Sequence, residues 1–139
     1  MTLDEMQAMV RAGVPLAGAW GVELLSAEGG VALLRLPHRE DLLRPGGTVS
    51  GPALMALADV AMWAALLSLT GGRDDSLTAN LNITFLRRPE PRPVLAEARA
   101  IKPRGRLLYG EVFLRSEGEE EHFAHVVTTL SRIATRPGE

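Results

Sequence analysis

Between Arg44 and Arg73 the chain carries one charged residue, Asp59, set in the apolar run GPALMALADVAMWAALLSL. Withdrawing a lone carboxylate from water costs several kcal/mol or drives the group to its neutral form. A chain keeps such a group where something offsets the cost, and chemistry is the usual offset. At helical spacing Met55, Ala56, Met62 and Trp63 lie beside Asp59. None of them can pair with it, so its partner comes from a strand or from another subunit. The alternative is a purely structural Asp bonded to Ser, Thr or backbone.

Other candidates flank Asp59 in the chain. Gly51 opens the apolar run, where a helix N-terminus presents unpaired N–H groups and partial positive charge. Such an N–H can hold a developing oxyanion, or Gly51 is an ordinary cap glycine. Ser50 can donate through its hydroxyl or simply cap the helix. Thr78 opens an alternating segment with Asn80, Asn82 and Thr84, a polar face that lines either a site, a subunit contact or solvent. Arg87, Arg88, Lys102, Arg104 and Arg106 cluster at two strand ends, either as phosphate ligands or as solvated edge charges. The three histidines show no ligand spacing. His122 and His125 are three apart on a strand and should point to opposite faces.

Composition narrows the classes. The chain has 139 residues, enough for one domain with one core, 1–139. With 15 basic and 17 acidic residues it has a formal charge of −2, which gives no global attraction to nucleic acid or to a membrane surface. The absence of cysteine excludes disulfides, thiolate metal sites and a cysteine nucleophile. The acidic, mixed start MTLDEMQAMVRAG lacks the pattern of a secretory signal, so a cytoplasmic protein is expected. The run 51–69 has the length of a membrane span, but Asp59 would then sit near the bilayer centre at about +3 kcal/mol. Six strand candidates around it favour a buried helix.

These residues need elements to position them. Thr2 or Asp4 caps a short helix that Gly13 and Pro15 end, giving an N-terminal helical segment over 1–14. Val22 to Ser26 and Val31 to Leu36 read as a hairpin. Pro45, Gly46 and Gly47 make a tight loop. Ser50 and Pro52 start a long helix over 51–70, and Gly71 and Gly72 stop it. Four strands follow: 77–85, 94–101, 107–115 and 123–133, with a frayed tail over 134–139. A helix apolar on nearly every side must be surrounded. A curved antiparallel sheet of about six strands wrapped round it, an α+β hotdog fold, satisfies that.

The segment Ser50-Gly51-Pro52-Ala53-Leu54-Met55-Ala56-Leu57-Ala58-Asp59 resembles the helix-start motif of the PaaI-like hotdog acyl-CoA thioesterases. That family reads His-Gly-Gly, then six residues, then Asp. Thr78-Ala79-Asn80-Leu81-Asn82-Ile83-Thr84-Phe85-Leu86-Arg87-Arg88-Pro89 resembles the strand after the helix in the same family. The resemblance runs in order and spacing from about 15 to 133. It implies a thioesterase acting on an acyl- or aryl-acyl-CoA, with Asp59 attacking the thioester or activating water. It also implies Gly51 and Ser50 at the carbonyl, Thr78 orienting the water, and the basic loops near the coenzyme A phosphates. Coenzyme A then enters as part of the substrate, with no separate cofactor and no metal. Self-association as a homodimer or homotetramer is implied, the sheets pairing across a twofold axis. The chain departs from the pattern at three places: Ser50 for the usual His, Pro52 for the second Gly, and Arg44 where many members have Asn. These departures keep a non-catalytic acyl-CoA-binding hotdog protein as the alternative. A hotdog dehydratase or hydratase ranks last, because His38 lies too far before the helix.

Overall fold

The computed structural model describes residues 1–132. Ile133, the last residue of the expected sixth strand, and the expected frayed tail over 134–139 lie outside the described residues. The chain runs α1 (Leu3–Gly13), α2 (Pro15–Ala19), β1 (Glu23–Glu28), β2 (Val31–Leu36), a 3-10 turn (Glu40–Leu42), α3 (Gly51–Thr70), β3 (Ser76–Phe85), β4 (Val94–Lys102), β5 (Leu107–Ser116) and β6 (His122–Arg132). The six strands form one antiparallel sheet in the order β1-β2-β4-β5-β6-β3, with α3 packed across its inner face. This is the hotdog fold.

Local chemistry explains the helices. Thr2 caps α1 by accepting from the Glu5 N–H at 3.1 Å. Pro15 ends α1 and also starts α2, a short helix not anticipated above; its fixed φ suits a first helical position. Ser50 caps α3 by accepting from the Ala53 N–H at 3.4 Å, and Pro52 needs no acceptor in the first turn. Gly71 closes α3 at φ 64°, a left-handed conformation that favours glycine.

Burial of α3 supplies most of the core. Leu54, Leu57, Leu66 and Leu67 are 2% exposed or less. Each is worth about 1.5–3 kcal/mol of transfer free energy as an upper estimate. Ala58, Ala61, Ala64 and Ala65 are fully buried and let the helix approach the sheet closely. Gly110 on β5 lies under Met62: a Cβ there would sit 2.6 Å from Met62 Sδ and 2.8 Å from the Arg99 carbonyl. By length and composition α3 could cross a membrane; here it is mostly buried, as the core helix of a globular domain is.

The outer face mixes charged side chains with exposed apolar ones such as Val31 and Tyr109. Arg35 joins β1 to the β5–β6 turn through Glu23 at 2.9 Å and Glu117 at 2.8 Å. The hydrogen bond from Arg35 holds the Glu117 carboxyl below its ordinary range. β6 skips a step at Phe123, so His122 pairs with Arg115 while Ala124 pairs with Leu114. This corrects the expected placement of the histidines. Both stand on the Phe113 side, each ring centroid 4.7 Å from that of Phe113. The extra residue cancels the odd spacing. His125 bonds Glu111 at 3.0 Å. Among the described residues no group of three or more His, Asp or Glu side chains is placed to hold a metal.

Candidate active site

Asp59 projects from the middle of α3 toward β3. Its partner is Thr78, whose Oγ1 donates to Asp59 Oδ1 at 2.5 Å. A hydroxyl bonded to a carboxylate at this distance is a strong, charge-assisted contact. Strict alternation predicts that Thr78 shares a face with Asn80, Asn82 and Thr84, and the structure corrects this. Thr78 pairs with buried Leu130, Asn80 pairs with Thr129, and Ala79 is the extra residue of a bulge between them. The bulge turns Thr78 inward to the helix and leaves Asn80, Asn82 and Thr84 on the other face.

The expected burial of Asp59 is also corrected. Asp59 is half-buried. Along the middle of α3, the residues not fully buried are Met55, Ala56, Asp59 and Trp63. A cleft of about 730 Å³ opens there, between α3, the α1–α2 corner and the start of β3. Asp59 and Thr78, with Asp74, Asp75 and Ser76 before and at the start of β3, form its polar lining. Val60, Trp63, Val14 and Leu16 form an apolar one.

The N-terminus of α3 is set by a small turn. Leu43 bridges Val49, the Arg44 N–H donates to Thr48 O at 2.8 Å, and the Ser50 N–H donates to Leu42 O at 2.8 Å. Ser50 therefore serves as the cap. Gly51 follows at the first helical position, where the N–H has no intrahelical acceptor. Its φ is not in the positive range, and a Cβ would meet only Phe85 Cζ, at an ordinary 3.7 Å. Neither backbone nor packing within the protomer requires glycine there. Gly51 and Asp59 are eight residues apart, about 12 Å along the helix axis. One protomer alone cannot bring both to one carbonyl group.

The five basic residues do not form one cluster. Arg87 is engaged by Glu121, through its carboxylate and its carbonyl, the latter at 2.9 Å. Arg88 donates to Gly46 O at 2.7 Å and borders a second cleft formed with Gly46, Gly47 and Thr48. Lys102 donates to Arg104 O at 2.7 Å and Leu107 O at 2.8 Å, so it staples its own turn. Arg104 and Arg106 are exposed on that turn. The Arg87–Arg88 pair follows the end of β3, whereas the Lys102–Arg106 turn sits by Arg132, opposite the start of β3. A ten-residue strand separates those ends, about 33 Å. No single phosphate can touch both groups within one protomer.

Sequence reasoning missed two contributors to the cleft. Gly13, at the end of α1, faces the Trp63 indole, a tertiary contact with no local signature. Asp74 has a side chain with 0% exposure, bonded by Ser76 and by Arg132 at 3.3 Å, and it fixes the approach to β3. A loop Asp two residues before a Ser is the signal that could have found it.

Residues 46–122 match the thioesterase superfamily. None of the curated proteins matches the chain. A solved structure described as a candidate thioesterase from Silicibacter sp. is 35% identical, with TM-score 0.85 over 94% of this chain and 91% of that one. Phenylacetic acid degradation protein PaaI from Thermus thermophilus, solved as a mutant, is 27% identical, with TM-score 0.74 over 86% of this chain and 99% of that one. Zebrafish thioesterase superfamily member 2 shares the fold at 22% identity, with TM-score 0.84 over 96% of this chain and 99% of that one. The chain belongs to the thioesterase superfamily. Within it, the family match, the fold and the similarity to PaaI are those of a PaaI-like hotdog thioesterase, a hydrolase of thioester bonds.

Proposed function

We propose that the protein hydrolyses an acyl- or aryl-acyl-coenzyme A at a site shared between two subunits, with Asp59 as general base or nucleophile. The observation that carries this reading is the Thr78–Asp59 contact in the cleft beside the apolar side chains Val60, Trp63, Val14 and Leu16. It fixes one carboxylate oxygen and leaves the other free to act.

Strand geometry supports a second subunit. β3 is a sheet edge, with Leu77 58% and Phe85 51% exposed. Such an edge invites pairing. Within a protomer Asp59 meets Thr78 and Gly51 meets Phe85, so α3 runs against β3. Two β3 strands paired antiparallel about a twofold axis between Leu81 and Asn82 set Thr78 opposite the partner's Phe85. That brings Asp59 of one protomer toward the N-terminus of the partner's α3. The unfilled space beside Gly51 suits the close approach of a substrate oxygen. A dimer or a tetramer is the assembly this requires.

As general base, Asp59 takes a proton from water while the hydroxide oxygen bonds to the thioester carbon. The carbonyl electrons move to oxygen, where the partner's Gly51 N–H and helix terminus stabilise the charge. Collapse breaks the C–S bond, and the departing thiolate takes the proton from Asp59, giving a carboxylic acid and free thiol. As nucleophile, an Asp59 oxygen bonds to the thioester carbon, the C–S bond breaks and the thiolate leaves. Water then opens the resulting mixed anhydride to the carboxylic acid and Asp59, and its remaining proton goes to the thiolate. Arg88 bonds the Gly46 carbonyl in the turn that leads into Gly51, and that position supports its contact with a coenzyme A phosphate.

Asp59→Asn tests the reading. It should lower kcat at least about a hundredfold and keep the fold, as expected for a positioned base or nucleophile. Near wild-type turnover of acyl-CoA would make Asp59 structural. Label from water found in Asp59 after one turnover would establish the anhydride route, since direct attack of water on the thioester leaves Asp59 unlabelled. A non-catalytic acyl-CoA binder would bind these thioesters and release no thiol.

A further inference from the structure

We infer that Trp63 is the floor of the acyl pocket and sets the length of acyl chain the protein accepts, a short one. The inference rests on the site proposed above and concerns the end of the cleft away from the thioester. Trp63 is four residues beyond Asp59, so the two side chains share one face of α3. Both line the same cleft, whose apolar lining includes Val14, Leu16, Val60 and Leu77, with Asp74, Asp75 and Ser76 as its polar lining by the start of β3. A chain that leaves the carbonyl at Asp59 along this apolar wall meets the indole after about one helical turn, roughly 6 Å.

The indole is held where it is by a glycine that has no other reason to be one. Gly13 has no positive φ, so its backbone accepts any residue. A Cβ at that position would lie 2.6 Å from Trp63 Cη2 and 3.1 Å from Cζ3. Real Cβ contacts do not reach such distances, so any side chain there displaces the ring. The pair is a matched fit: the large ring occupies the end of the cleft because the facing residue is empty. The indole is half-buried, packed against the core on one side and open to the cleft on the other.

Non-hydrolysable S-alkyl thioethers of coenzyme A, from ethyl to dodecyl, test the inference by calorimetry. For the wild type, affinity should rise about fourfold per methylene and then stop rising at a short chain, one that spans about a helical turn. Trp63→Ala should move that break to longer chains, with Trp63→Phe intermediate; the Phe variant carries the test if the Ala variant does not fold. Gly13→Ala, which displaces the indole, should move the break as well. The chain has two tryptophans, so Trp20→Phe leaves Trp63 as the sole reporter. Its emission should shift with thioethers that reach the break and stay unchanged with coenzyme A alone. An unchanged break in both Trp63 variants, or no thioether binding at all, would overturn the inference. The catalytic reading fails separately. If Asp59→Asn hydrolyses acyl-CoA normally while the break still follows Trp63, the pocket floor stands and the base does not.

Discussion

Replacing Thr78 by Val removes one hydroxyl and keeps the β-branched shape that suits a strand. The lost contact is the 2.5 Å bond to Asp59. A hydrogen bond to a charged group contributes about 1.5–3 kcal/mol. Thr78 is exposed in the protomer, so solvent screening places the loss at the lower end, about 1.5 kcal/mol. If the bond orients Asp59 for attack, that loss appears in kcat as roughly a tenfold decrease. KM should stay nearly constant, since the hydroxyl does not grip the leaving group. Thr78→Ser keeps the donor and should recover most of the rate. The assay is release of free thiol with a chromogenic disulfide, and the absence of cysteine from the chain removes background reaction. The melting temperature should fall by no more than several degrees in the Val variant and little in the Ser variant, with the fold kept in both. Equal loss in Val and Ser would mean that the strand, not the hydroxyl, matters. A Val variant within twofold of wild type would refute the role of the contact.

Arg88→Ala should raise KM for acyl-CoA severalfold and leave kinetics on the matching acyl-pantetheine nearly unchanged, because a phosphate contact is uniform binding and the truncated thioester lacks those phosphates. Equal damage to both substrates would mean that Arg88 acts through its bond to Gly46, supporting the turn before α3. Gly110→Ala should destabilise the fold by about 1–3 kcal/mol in denaturant titration, as overpacking does when a backbone carbonyl 2.8 Å away cannot yield. Unchanged stability there would mean that α3 rides further from β5 than described.

The long helix and most strands were legible because their signals are local. Ser50, Pro52 and Gly71 mark the ends of α3 through cap chemistry. Leu77 through Phe85 marks β3 through its period of two. What was not legible depends on single inserted residues and on tertiary cover. A bulge at Ala79 and a skipped step at Phe123 each invert the face of every residue beyond them. Periodicity sees the alternation and not the slip. So Thr78 could be singled out by type and place in the chain, while its side of the sheet could not. Asp59 stood out as a lone charge, but composition cannot say which stripe of an all-apolar helix faces a cleft. Pro15 read only as a stop, because a proline that ends one helix and starts the next looks the same in sequence. The five basic residues read as two strand-end groups both near the coenzyme A phosphates, because the chain says nothing of how far apart those strand ends lie.

The central claim is that Asp59 of one subunit works with Gly51 of the other on a thioester. Hybrid dimers test it most directly. Asp59→Asn removes the carboxylate, and Gly51→Pro removes the N–H; each homodimer should be nearly inactive. In a hybrid of the two, one site receives both intact residues and the other receives neither. After random exchange of subunits, acyl-CoA hydrolysis should return to about one quarter of the wild-type rate, since half the dimers are hybrid and half their sites are whole. Mixing that restores no activity, with subunit exchange verified by mass, would contradict the shared site.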